Sequence, residues 1–65
     1  MNKKQQIIQA AIELFATCGY EKTSIAAICE QAKVSKGAVF HHFKNKDELL
    51  REVFVRMAQI INEVG

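Results

Sequence analysis

TSIAAICEQAKVSKGAVFHHFKNK, residues 23–46, decides how this chain folds. It divides into a short helix, a tight turn and a second short helix. Thr23 and Ser24 both qualify as N-caps for the first helix, and the pattern does not choose between them. Ile25, Ile28, Cys29 and Ala32 then fall on one apolar face. Ala32-Lys33-Val34 form the turn, which asks Lys33 for a left-handed backbone, uncommon for a residue with a Cβ. Ser35 caps the second helix. Val34 before that cap and Val39 after it have the spacing of a hydrophobic staple. Val39 and Phe43 share an inward face, which leaves Lys36, Gly37, Phe40 and His41 toward the other side. The second helix is barely two turns long, and Gly37 weakens it by roughly 1 kcal/mol relative to alanine. It holds only if neighbouring helices hold it.

From Gln31 to Lys46 there is no acidic residue, yet Lys33, Lys36, Lys44 and Lys46 are all present. Phosphates attract such an edge, and a thin helix fits the major groove of a duplex. A helical hairpin by itself is common and says little. The acid-free edge, the outward Lys36-Gly37 and the hydroxyl caps tilt the reading toward DNA. Gly37 carries a stability cost with no packing gain, as expected of a place where backbone approaches a base edge or phosphate.

Upstream, Ile8, Ala11, Ile12, Phe15 and Cys18 recur at helical spacing from about Lys3, with Ile7 and Leu14 widening the stripe. Gln5, Gln6, Gln9 and Glu13 lie off it. Gly19 is the expected left-handed stop, and Tyr20 is expected to fold back on the last turn. Downstream, Asn45 caps a longer helix of about 46–63, with Glu48 in the capping position three residues on. Leu50, Val53, Phe54, Met57, Ile61 and Val64 mark its expected inner stripe, broadened by Leu49 and Ile60. Ile60, Ile61 and Val64 run past what three short helices can cover. The expectation is therefore an excised domain, or the start of a longer protein.

The sixty-five residues make one domain, all-α, with no proline to break helices. Apolar residues at 49% supply a core. A chain this short still hides only about 60% of its unfolded surface. The net charge of +2 is small, so its distribution carries the argument. Acidic Asp47, Glu48, Glu52 and Glu63 offset Arg51 and Arg56 toward the C-terminus, and the basic excess falls on the middle and on Lys3 and Lys4. Cys18 and Cys29 both fall at inward positions and read as small buried side chains without a disulfide. No segment has the length of a membrane span and no cleavable leader is visible, which points to a cytoplasmic setting.

Two other chemistries are weak. His41 and His42 are adjacent, so their side chains diverge by about 100° on a helix and do not chelate one ion. One should face outward and the other half inward. The chain has no HExxH spacing, no paired carboxylates and no glycine-rich phosphate loop. No enzyme activity, cofactor or metal is expected.

With IIQAAIELFATCGY, TSIAAICEQAKVS and KGAVFHHFKNKDELL in this order and spacing, nearly the whole chain resembles the N-terminal DNA-binding domain of the tetracycline-repressor (TetR) family of bacterial regulators. The resemblance implies a three-helix helix-turn-helix domain over residues 1–65 with a longer fourth connecting helix. The motif spans about residues 24–43 and the recognition helix about 36–43. It implies contacts from the start of the second helix at Thr23 and Ser24. From the recognition helix it implies Ser35, Lys36, Gly37, Ala38, Phe40 and His41, with His42 in the place of a frequent family histidine. Lys46 matches a lysine that often meets phosphate. It further implies a C-terminal domain, absent here, that binds a small-molecule effector and forms a homodimer on a palindromic operator. Two positions depart from the pattern: Lys33 stands where the turn usually has glycine, and Phe40 where tyrosine is more frequent.

The expected function is sequence-specific binding of double-stranded DNA by a transcriptional regulator of the repressor kind. The competing reading is a helical protein-interaction module that uses the apolar end of the fourth helix.

Overall fold

A computed structural model of the chain describes residues 2–64, the side chains of residues 62–64 excepted. Four α-helices run through them: α1 (Lys3–Cys18), α2 (Ile25–Ala32), α3 (Lys36–His42) and α4 (Lys46–Val64). Each starts on a neutral polar cap. Asn2 Oδ1 accepts from the Gln5 N–H at 2.8 Å, Ser24 Oγ from Ala27 at 3.0 Å, Ser35 Oγ from Ala38 at 3.1 Å and Asn45 Oδ1 from Glu48 at 2.9 Å. These bonds satisfy backbone donors that no carbonyl inside the helix can reach. The open choice at α2 is thereby resolved. Ser24 is the cap, while the Thr23 side chain is buried and its hydroxyl donates to the Gly19 carbonyl at 2.7 Å.

The core gathers around Ile7 and Ala11 of α1, with Ile28, Val39, Phe43, Leu49 and Val53 brought onto them. α1 packs against each of the other three helices, so the small recognition helix rests on a shared interior. The α2–α3 turn has the left-handed residue expected of it, since Lys33 has φ 60° and ψ 44°. Its N–H donates to the Glu30 carbonyl at 3.2 Å, and the Val34 N–H to Cys29 at 3.1 Å. That pair of bonds is the Schellman closure of a helix C-terminus. Val34 and Cys29 both pack against the core there.

Several expectations need correction. Gly19 has positive φ (86°), but its ψ of 156° lies outside the left-handed helical region, in a basin essentially reserved for glycine. Its N–H still caps Phe15 at 3.0 Å, and Tyr20 does fold back, its ring 5.4 Å from that of Phe15. Cys18 is exposed, not inward, because the last residue of α1 has run past the cover of the other helices; Cys29 is half-buried, and both are free thiols. On α4 the register shifts by one residue. Leu49 is fully buried, whereas Leu50 is only half-buried. Leu49 and Val53 form the inward i, i+4 pair, and after Val53 the helix leaves the core. Phe54 (63% exposed), Met57, Ile60 and Ile61 (69% exposed) are therefore left on the surface. The expected inward position of Val64 lies outside the described side chains.

Candidate nucleic-acid interface

The inward half of α3 is spent on two residues. Val39 is fully buried and Phe43, just past the helix, is 2% exposed. Helical spacing then turns the rest of the segment outward. Ser35, Lys36, Gly37, Phe40, His41 and His42 are exposed, and Ala38 is half-buried. The surface they form holds no carboxylate of its own, and Lys33 and Lys44 flank it, both exposed. His42 was expected half inward if His41 faced out. Both are exposed, because Val39 and Phe43 already fill the inward direction and leave positions 41 and 42 on the flanks. Their rings meet edge to face at 5.1 Å between centroids. Two imidazoles at the last turn sit where a positive charge suits the helix dipole.

The N-terminal end of α3 is open. Ser35 takes up the Ala38 amide through its side chain and the Val39 amide through its carbonyl. By helix geometry, the Lys36 and Gly37 amides are those no carbonyl inside the helix reaches. A Cβ placed on Gly37 would meet only Ser35 Oγ, at 3.9 Å. The fold therefore does not require glycine there, and the empty space lies on the outer face.

The other candidate residues divide. Ser24 is exposed at the start of α2, at the opposite end of that helix from the α2–α3 turn. Thr23 is buried, and its hydroxyl donates to the Gly19 carbonyl. Lys46 is half-buried, and it is not a free surface charge. Its ammonium donates to the Tyr20 carbonyl at 2.8 Å and lies 4.2 Å from the centroid of the Tyr20 ring. The Tyr20 hydroxyl donates to the Asp47 carboxylate. That hydrogen bond, then partial burial, then the negative charges of Asp47 and Glu21 push the phenol up to about 12 from 10.0. Sequence reasoning gave Tyr20 only a packing role and gave Asp47 none. The one available signal was an aromatic beside a glycine stop, with a Lys-Asp pair at the start of a later helix.

Among the described residues, no helix is long and apolar enough to cross a membrane. Nor does any group of three metal-ligating side chains occur there.

Comparison with known proteins bears on the family and the fold. The family model described as bacterial regulatory proteins, tetR family, matches residues 7–53. The HTH-type transcriptional repressor AcnR of Corynebacterium glutamicum is 38% identical over 68 residues, covering 98% of this chain and 36% of the relative. The fatty acid metabolism regulator protein of Bacillus subtilis is 38% identical over 63 residues, covering 95% and 32%. A crystal structure of a transcriptional regulator from Aquifex aeolicus VF5 superposes with a TM-score of 0.88 at 39% identity, covering 95% of this chain and 36% of that one. The chain thus spans about a third of the length of these relatives.

Proposed function

This chain belongs to the TetR family of bacterial regulatory proteins, as its helix-turn-helix DNA-binding domain, and we propose that α3 reads duplex DNA by entering the major groove at its Ser35–His41 face. The observation that carries this reading is the outward, acid-free surface of α3 held from behind by Val39 and Phe43. Lys36 is the best candidate to reach a guanine edge, and Gly37 lets the helix start approach closely. Phe40 offers apolar contact of the kind a thymine methyl takes. His41 and His42 face outward as further contacts. Ser24, Ser35, Lys46 and the flanking Lys33 and Lys44 contact phosphates and set the register, without reading sequence themselves.

In the whole protein, two such domains in a homodimer read the halves of a palindromic operator about 34–36 Å apart, or a multiple of that. The relatives named as repressors support repression as the outcome. A small-molecule effector bound to a C-terminal domain tilts α4 and changes the spacing of the two readers. Selection of bound duplexes from a random pool by a covalently dimerised form tests the reading. An enriched palindrome supports it, and recovery of unrelated sequences with no salt dependence refutes it.

The apolar end of α4 favours a second role for the same chain. Phe54, Ile60 and Ile61 are exposed, an apolar row suited to a protein partner. Such an interface responds weakly to salt, whereas phosphate contacts weaken steeply with it.

A further inference from the structure

Tyr20 lies in the turn between α1 and α2, and three segments meet on it. Its carbonyl accepts from the Thr23 N–H at 3.2 Å and from Lys46 Nζ at 2.8 Å. Its ring carries the Lys46 ammonium on one face, 4.2 Å from the centroid, and packs against Phe15. Its hydroxyl donates to Asp47. The first two residues of α4 are thus both fastened to the turn that leads into α2.

The consequence is geometric. Ser24 begins α2 and Lys46 begins α4, and both belong to the phosphate-contacting set. The recognition helix lies between them in the chain. α2 and α4 share little direct packing, so the turn at Tyr20 is a direct link between these two ends. We propose that Tyr20 and Asp47 are positioning residues for DNA binding. They hold the start of α4, with the Lys46 ammonium, at a preset distance from the start of α2, so that both ends meet the sugar–phosphate backbone without rearrangement. The inference rests on the DNA-binding reading above. Preorganisation of this kind raises affinity by removing an ordering cost that would otherwise fall on binding.

Electrostatics alone predicts the opposite effect for one of the two residues, and this makes the proposal testable by sign. Asp47 is a negative charge beside the acid-free edge. By Coulomb's law its removal favours a polyanion. If Asp47 positions Lys46, its removal weakens binding instead.

The experiment compares the full chain with Tyr20→Phe, Asp47→Asn and the double variant on the selected duplex. Affinity is measured across a salt series, and the folded fraction is followed by circular dichroism at the assay temperature. Tyr20→Phe keeps the ring under Lys46 and against Phe15, so it tests the Asp47 link without emptying the site. Each single variant is expected to bind several-fold more weakly while folded, and the double variant no more weakly than the weaker single. Tyr20→Phe removes no charge, yet its salt slope should become shallower by up to about one unit, since a displaced Lys46 neutralises one phosphate fewer. Hydroxyl-radical footprints should lose protection at phosphates facing α4 and keep it opposite α3. Tighter binding by Asp47→Asn, additive losses, or a Tyr20→Phe variant that binds like the parent overturns the positioning role and leaves the DNA reading intact. Failure of the parent chain to show salt-dependent binding overturns the DNA reading, and this proposal with it.

Discussion

Replacing Ser35 by aspartate should separate the stability of this domain from its affinity for DNA. Ser35 Oγ accepts from the Ala38 N–H at 3.1 Å at the start of α3. A carboxylate in that place accepts the same bond, and aspartate equals serine as an N-cap. The new negative charge also meets the positive end of the helix dipole, a gain of about 0.3–1 kcal/mol for an exposed site. The first turn of α3 carries no acid that would oppose it. The variant should therefore melt at the parent temperature or a few degrees above it.

DNA should respond in the opposite sense. Ser35 is exposed on the proposed groove-facing surface. A carboxylate about 5 Å from a phosphate costs roughly 1 kcal/mol in bulk water and about 3 kcal/mol at the lower effective dielectric near a protein surface. That corresponds to a loss of about five- to 150-fold in affinity. The loss should shrink as salt screens the pair. Paired measurements decide the matter: thermal unfolding by circular dichroism, and titration of a fluorescent half-site duplex at several salt concentrations. Unchanged or tighter binding by a folded Ser35→Asp variant would falsify the placement of the α3 N-terminus against phosphate.

Four further outcomes are expected. Lys33→Gly should stabilise the domain by about 0.5–1 kcal/mol, the left-handed penalty of a Cβ less the greater entropy of an unfolded glycine; a melting temperature at or below the parent's contradicts this. Gly37→Ala should raise stability by up to roughly 1 kcal/mol, since the added methyl meets only Ser35 Oγ at 3.9 Å, yet it should weaken DNA binding; tighter binding refutes the close approach. Leu49→Ala should cost about 2–5 kcal/mol in a denaturant titration and Ile61→Ala well under 1 kcal/mol, because Leu49 is fully buried and Ile61 is 69% exposed; equal losses would place α4 in the wrong register. Tyr20 is the single tyrosine and there is no tryptophan, so ultraviolet titration should read its ionisation at about 12 in the folded chain against 10.0 for an ordinary phenol. Its folded value lies above its unfolded one, so its stabilising contribution is whole below pH 10 and lost as pH rises from 10 toward 12. Asp47→Asn should bring the midpoint down, and an unmoved midpoint would remove Asp47 as the cause.

The parts of this fold that were legible in the sequence are those set by neighbours a few residues apart. Caps at Ser35 and Asn45, the left-handed Lys33 and the inward pair Val39 and Phe43 each follow from local spacing. The parts that were not legible depend on what lies across the interior. Leu49 and Leu50 are adjacent leucines, and only the position of α1 decides which of them faces it. Cys18 has the right spacing for burial but lies where no other helix reaches. For the same reason the α4 stripe from Phe54 onward reads as core and is exposed. At the candidate site, Lys36, Gly37, Phe40 and His41 were readable as outward because helical period leaves them nowhere else to point, whereas His42 was expected half inward and is exposed. The Tyr20–Lys46–Asp47 cluster was not readable, since it joins residues far apart in sequence through a backbone carbonyl that carries no sequence signal. The choice of cap between Thr23 and Ser24 stayed open for a related reason: two adjacent hydroxyl residues offer the same cap, and only the course of the turn puts one of them inside.

The division of roles within α3 explains how so short a helix can be both stable and free to specify. Its contribution to folding comes from Val39, Phe43 and the Ser35 cap. Burying the two apolar side chains is worth about 1.5–3 kcal/mol each, and the cap adds roughly 1 kcal/mol. Against this stand the glycine cost of about 1 kcal/mol and a nucleation cost that a seven-residue helix cannot recover alone. The balance is positive only because α1 and α2 supply the surface on which Val39 and Phe43 land. Gly37 enters this balance on the unfavourable side, and Lys36, Phe40, His41 and His42 add little to it. Residues that do not contribute to the core are free to be chosen for what they meet outside it. Substitutions there, Gly37 apart, should change what the domain binds while leaving its melting behaviour within the small range typical of surface positions, which is the physical basis for proposing α3's outer face as a readout surface on a constant scaffold.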